Sequence, residues 1–349
     1  MHVTPPLDLV TCISFHLIIA KSVLIQLDPP NTNALTKGSN KNMKIYTITL
    51  SPAYDVHATA SALSLNHENL AHIKSRDAGG KGVNISRALT YNGVENTAVV
   101  VLGHDNCVDF KAALDADNMT YIGIEKDGRI RENLTIHTSG EGETRISFSG
   151  FSLDNGILAE IENIISADEN TIVTLTGSVP RGVDMPEIKR LLARIKSKGA
   201  KIVVDSRSFA LGDLLEVSPW LIKPNSEEIA AYSGKEVNNF ADCIDFAKKL
   251  CSGGIENVMV TLGEKGAMLV TEDVTVVAVP PSVNVLSTIG AGDSAIAGFI
   301  AAYAEGKDAA ECLKLATSFG TAACLLEGTA PPTRENVAEV YKDVKIEIF

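Results

Sequence analysis

From Ile45 onward, short apolar runs alternate with stretches of helical periodicity. Ile45–Leu50, Thr97–Leu102, Thr171–Leu175, Lys201–Val204, Trp220–Ile222 and Asn257–Leu262 are brief, mostly apolar and often β-branched. Strands of that kind are parallel and covered on both faces. Helical spacing of apolar residues lies between them, as in Val83–Asn92, Asp184–Ser197 and Phe240–Cys251. Past Thr288 the chain reads as helical almost to its end, through Ala291–Glu305, Ala309–Leu326 and Arg334–Asp343. The alternation predicts an α/β fold with a doubly wound, mostly parallel sheet.

Two segments break this rhythm. Val56–Ala78 and Tyr121–Phe148 alternate polar and apolar residues, as in Thr144-Arg145-Ile146-Ser147-Phe148. The period of two predicts half-exposed antiparallel strands, forming a small sheet that stands off the main domain as a lid or dimer contact. A plain surface hairpin is the alternative. The first 42 residues differ again. Leu9 to Leu27 is apolar but interrupted by His16 and Lys21, with no basic stretch ahead and no small-residue cleavage signal behind. Asp28 to Asn42 turns polar. The folded unit is therefore expected to span 43–349, with 1–42 a poorly ordered extension or a stretch upstream of a natural start at Met43, and no membrane anchor.

Charge narrows the function. With 31 Lys and Arg against 43 Asp and Glu, the net charge is −12. Bulk electrostatics then repel nucleic acid and anionic membranes. A multiply anionic substrate would need a few placed cations and backbone amides. The six cysteines show no C-x-x-C pair and no metal-like spacing with histidine, which suits core residues in a reducing, cytoplasmic setting.

Five local patterns can carry chemistry. Ser287-Thr288-Ile289-Gly290-Ala291-Gly292-Asp293-Ser294 opens a long helix. Its glycines admit close backbone approach, its free amides favour an anion, and Asp293 is a candidate general base. A simple N-cap is the competing reading. Ala78-Gly79-Gly80-Lys81-Gly82-Val83-Asn84 also leads into a helix and suits a phosphate or sugar against the backbone, although it is neither a Walker A motif nor a dinucleotide fingerprint. Asp55, just past the first strand, is placed to accept from sugar hydroxyls or to serve as a turn residue. Arg131 and Arg145, with Asn133, lie either side of a turn at Ser139–Gly142, where a hairpin would bring both guanidiniums to one face as a phosphate clamp. In Lys223-Pro224-Asn225-Ser226-Glu227-Glu228, Asn225 and Glu228 would share a helical face and order water around Mg²⁺, or form a capping box, or both.

Gly79-Gly80-Lys81-Gly82-x-Asn84, Asn225-x-x-Glu228 and Gly290-Ala291-Gly292-Asp293, in that order, resemble the signatures of the PfkB (ribokinase-like) carbohydrate kinase family from Lys44 to about Thr333. Pro280–Thr288, Pro219–Asn225 and Ser149-Gly150-Phe151 are most similar to its bacterial 1-phosphofructokinase branch; Ser51 departs from the asparagine common there. The resemblance implies a ribokinase-like sheet with a β lid, often shared across a homodimer. It implies ATP as co-substrate, Mg²⁺, and conversion of fructose 1-phosphate to fructose 1,6-bisphosphate. Kinases of tagatose 6-phosphate or fructose 6-phosphate are the alternative, and a non-catalytic sugar-phosphate sensor is the reading from another class. By the same resemblance Asp293 would be the base, with Gly290, Ala291 and Gly292 completing the anion hole. Asp55, Gly79, Gly80 and Asn84 would hold the sugar. Lys81, Arg131 and Arg145, helped by Asn133, would bind the phosphate already on it. Lys223, Asn225, Glu228, Thr261, Gly263 and Gly266 would serve the nucleotide, with Glu228 reaching Mg²⁺ through water.

Overall fold

The computed structural model describes residues 43–139 and 142–349. Along the chain the strands are β1 (Lys44–Thr49), β2 (Ala53–Ala60), β3 (Ala71–Gly79), β4 (Thr97–Gly103), β5 (Tyr121–Lys126), β6 (Arg131–Thr138) and β7 (Gly142–Ser147). They continue with β8 (Thr171–Thr176), β9 (Lys201–Asp205), β10 (Leu221–Ile222), β11 (Asn257–Thr261), β12 (Ala267–Val270), β13 (Thr275–Val279) and β14 (Lys345–Ile348). The helices are α1 (Lys81–Tyr91), α2 (Cys107–Ala116), α3 (Gly156–Ile164), α4 (Met185–Ser197) and α5 (Leu211–Val217). After them come α6 (Ser226–Ser233), α7 (Ile244–Ser252), α8 (Ala291–Ala304), α9 (Ala309–Cys324) and α10 (Arg334–Tyr341).

The main sheet has ten strands in the order β14-β13-β12-β11-β10-β9-β8-β1-β4-β5. From β11 to β5 every pairing is parallel, and from β11 to β14 every pairing is antiparallel. Successive residues of a strand face opposite sides, so β1 sends Ile48 into one core and Ile45 into the other. The first core lies under the helices from α3 to α7, the second under α1, α8, α9 and α10. Beyond β1 the chain builds outward to β4 and β5, then returns to build the other way from β8. That reversal beside β1 is where an open α/β sheet leaves a crevice at its carboxyl edge.

The expected core strands and helices are present with boundaries moved by a residue or two, except that the helix expected from Phe240 begins at Ile244, after a single 3-10 turn at Phe240–Asp242. The lid forms a separate four-stranded sheet, β3-β2-β6-β7. Two expectations about it are corrected. Tyr121–Lys126 is not a lid strand: it pairs in parallel with β4 as the edge of the main sheet. An edge strand covered on one face can read as a lid strand does, with Ile124 buried and its neighbours Gly123 and Glu125 exposed. The lid is also not wholly antiparallel, because β6 runs parallel to β2 after the chain has passed through the main sheet. The expectation for residues 1–42 lies outside the described residues, as do Gly140 and Glu141 of the lid turn.

Candidate active site

At the join of β3 and α1, Gly79 is held against the end of β2. A Cβ there would fall 2.2 Å from Asp55 Oδ2, so only glycine lets the turn and this carboxylate coexist. The helix that follows carries Lys81 and Asn84 on its first turn. Asp55 accepts a 2.9 Å hydrogen bond from Asn133 Nδ2, its cross-strand partner on β6. Burial raises the Asp55 carboxyl above its usual range, and the Asn133 bond offsets part of that. Arg131 lies one step back on the same side of β6, where burial lowers its pKa against the opposing pull of Asp55. Asn84 Oδ1, Asn133 Oδ1 and Arg131 Nε are all buried without a hydrogen-bond partner. Native proteins rarely leave such atoms unpaired.

Across the crevice, Gly290 adopts φ 78° and opens α8. The amides of the first turn have no intrahelical acceptor and carry the positive end of the helix dipole. Asp293 sits inside that turn, 6% exposed, and accepts a 2.9 Å bond from Asn84 Nδ2. Burial, first, and the neighbouring Asp205 push its carboxyl up to about 6, while Lys81, Asn84 and Lys223 pull the other way. Lys223 packs on the turn itself: a Cβ on Gly292 would meet Lys223 Nζ at 3.0 Å.

The sequence reading missed the group that organises these lysines. Asp205, at the carboxyl end of β9, is 4% exposed and lies 2.9 Å from Lys81 Nζ and 3.8 Å from Lys223 Nζ. Burial alone would raise it, but the two lysines outweigh burial and hold it below the usual carboxylate range. The same pairing lifts Lys81 above its ordinary value despite burial. The available signal was an aspartate ending an apolar strand in Val203-Val204-Asp205, a position that faces the crevice of a doubly wound sheet.

Lys81 therefore stands beside Asp205 and Asp293, and the expected clamp of Lys81, Arg131 and Arg145 is corrected. Arg145 is registered with Thr135, four residues along β6 from Arg131, or about 13 Å at the rise of a strand. It is half exposed and paired with Glu143. The two arginines share a face of the lid, one on β6 and one on β7.

On the other flank, Asn225 caps α6. Its Oδ1 accepts from Glu228 N at 2.8 Å, and Glu228 Oε2 accepts from Asn225 N at 3.1 Å. The capping box thus forms, and Glu228 Oε1 also faces Arg207 Nε at 3.3 Å. Asn225 bridges to Thr261, and the tight turn from Gly263 to Gly266 follows. Gly266 is obligatory, because a Cβ would lie 2.0 Å from Ala278 O, whereas the space around Gly263 is open. Among the described residues no three His, Cys, Asp or Glu side chains converge as a metal cage. The Glu228 carboxylate, at the start of α6, suits contact through water with Mg²⁺, an ion that keeps most of its water and is carried chiefly by phosphate oxygens.

Residues 48–336 match the family model described as pfkB family carbohydrate kinase. The chain is 29% identical over 305 residues to a 1-phosphofructokinase of Vibrio cholerae, covering 87% of this chain and 96% of that protein. It is 31% identical over 277 residues to a 1-phosphofructokinase of Haemophilus influenzae, covering 78% and 88%. Among solved structures, phosphofructokinase-2 from Escherichia coli in complex with substrates and products superposes with a TM-score of 0.80 at 27% identity, over 85% of this chain and 98% of that one.

Proposed function

This chain belongs to the pfkB family of carbohydrate kinases, and on that premise we propose that it phosphorylates fructose 1-phosphate with ATP to give fructose 1,6-bisphosphate. The observation that carries the reading is the placement of the buried Asp293 carboxylate inside a helix N-terminus, with Lys81 and Lys223 near enough to pull on its charge. In this mechanism Asp55, Asn84 and Asn133 hold the sugar with its free hydroxyl at Asp293. The hydroxyl oxygen attacks the γ-phosphorus in line as its proton passes to an Asp293 oxygen. The new P–O bond forms while the bond from the γ-phosphorus to the β,γ-bridging oxygen breaks, and ADP leaves. The amides of Gly290 to Asp293 and the Lys223 ammonium face the charge that develops on the transferred group. Glu228 would hold Mg²⁺ through water beside the ATP phosphates, where the ion would supply neutralisation of part of that charge. Asn225, Thr261 and the turn from Gly263 to Gly266 border the nucleotide.

The relatives named 1-phosphofructokinase favour fructose 1-phosphate, and the likeness to phosphofructokinase-2 from Escherichia coli in complex with fructose-6-phosphate supports fructose 6-phosphate as the second reading; tagatose 6-phosphate has the same reach. A near-symmetric ketose can enter either way round, so the test is direct. An ADP-release assay with Mg²⁺-ATP compares kcat/KM for the three sugar phosphates. Preference for fructose 1-phosphate supports the proposal, and preference for a 6-phosphate reverses the sugar in the site. Absence of turnover on all three overturns it. The enzyme acts in the cytoplasm on this reading, where ATP is supplied, and works as a homodimer joined through the lid.

A further inference from the structure

Away from the crevice, the packed helices α1 and α8 end together at a second cavity of about 330 Å³. Asn92 closes α1 and Glu305 closes α8, and both border the space. Residues of α9 and α10 form the remaining walls, and the floor is apolar, made by Val94, Leu315, Phe319 and Val337. Glu305 lies twelve residues along the helix from Asp293, or about 18 Å at the rise of an α-helix. An occupant of this cavity is therefore neither the sugar phosphate nor the nucleotide. The volume sits at the small end of the range for ligand pockets.

The charged groups around the cavity are unequally engaged. Arg334 Nη2 donates to Asn92 O at 2.8 Å and so serves the carboxyl end of α1. Glu311 Oε2 accepts from Tyr341 Oη. Lys314 is buried outside the cavity, with its ammonium 4.0 Å from the centre of the Tyr341 ring. Lys307 is exposed at the rim. Glu305 stands apart from these. Its side chain is half-buried and makes neither a hydrogen bond nor an ion pair among the described residues. It also stands at the carboxyl end of α8, where the helix dipole adds negative charge of its own. Burial raises its carboxyl above the usual range, against the pull of Lys307 and Arg334. A carboxylate held in this way, over an apolar floor, is complemented by a cation that carries hydrocarbon. Glu305 and Glu311 are the only His, Cys, Asp or Glu side chains on the cavity wall, so a bare metal ion lacks a ligand set there.

We propose that this cavity binds a small primary amine with an apolar body, its ammonium on Glu305 and its hydrocarbon against Leu315, Phe319 and Val337. The test is a ligand-observed NMR titration of the intact chain with 3-methylbutylamine, beside 4-methylpentanoate, which puts a carboxylate on the same branched chain. The amine is expected to bind saturably and the acid at least fivefold more weakly. Glu305→Gln keeps the shape of the side chain and removes its charge, and should weaken the amine at least fivefold. Ala338→Leu fills the cavity from α10 while leaving Glu305 in place, and should weaken it as much. Melting temperatures close to that of the wild type check that the variants fold, and if Glu305→Gln does not, Ala338→Leu decides. Saturating ATP or fructose 1-phosphate should leave the amine bound. An amine that does not bind saturably, that either substrate displaces, or that binds a folded variant as it binds the wild type overturns the inference. An acid that binds as tightly as the amine does so too. A chain that binds the amine yet turns over no sugar phosphate sinks the kinase reading alone.

Discussion

Asp293 is buried where an ionised carboxylate is poorly solvated, and its pKa rises from the ordinary 3.8 to about 6. A base must be deprotonated to act, so kcat/KM should fall roughly tenfold per unit below about pH 6. A pH profile with the sugar phosphate held well below KM reads this directly, and a profile flat down to pH 5 would remove Asp293 as the base. The same shift has a consequence for stability. Between about pH 6 and pH 4 the folded protein binds a proton that the unfolded chain does not. The ionised form therefore costs stability above that window, and the cost is relieved as pH falls through it. Asp293→Asn should exceed wild type in unfolding free energy at pH 7.5 by up to about 3 kcal/mol in a denaturant titration, and the gap should close by pH 4. Asp205 has the opposite role, because it compensates two lysines. Asp205→Ala leaves Lys81 and Lys223 without their buried partner and should lower unfolding free energy by about 3–5 kcal/mol in a denaturant titration.

At the level of elements, the site is built where strands hand over to helices. Gly79 joins β3 to α1, and Gly79→Ala drives a methyl into Asp55 Oδ2. The sugar-phosphate KM should rise at least tenfold while the ATP KM stays put, and equal changes in both would mean a general distortion instead. Asn225 caps α6, so Asn225→Ala should cost about 1 kcal/mol of stability and raise the ATP KM. These junctions were legible in the sequence because glycine-rich turns and capping residues act locally: the turns at Gly79 and Gly290 and the Asn225 box were all found from spacing. The pairing of strands was less legible. Tyr121–Lys126 reads like a lid strand, and only its hydrogen bonds to β4 assign it to the main sheet. The antiparallel strands β12 and β13 were missed because Ala267–Val270 and Thr275–Val279 are only four and five residues long. Asp205 escaped because its partners are 124 and 18 residues away and nothing local marks them.

Across the whole molecule, a chain of net charge −12 is read as binding ATP and a sugar phosphate through converging features in one crevice. A helix N-terminus and two lysines face one end, and the lid covers the other. The lid also leaves Leu65, Leu70, Ile73, Ile146 and Phe148 exposed. Apolar side chains grouped in this way mark a contact surface. Sedimentation should show a dimer that Ile146→Asp with Phe148→Asp converts to monomer, and a double variant that stays dimeric would move the interface elsewhere. The central claim is that Asp293 takes the proton of the sugar hydroxyl. The measurement that tests it most directly is turnover of fructose 1-phosphate by Asp293→Asn, with binding of both substrates followed in parallel. The account predicts that kcat falls about 10²–10⁴-fold while both dissociation constants stay within about threefold. Turnover retained within tenfold, with substrates still bound, would contradict it.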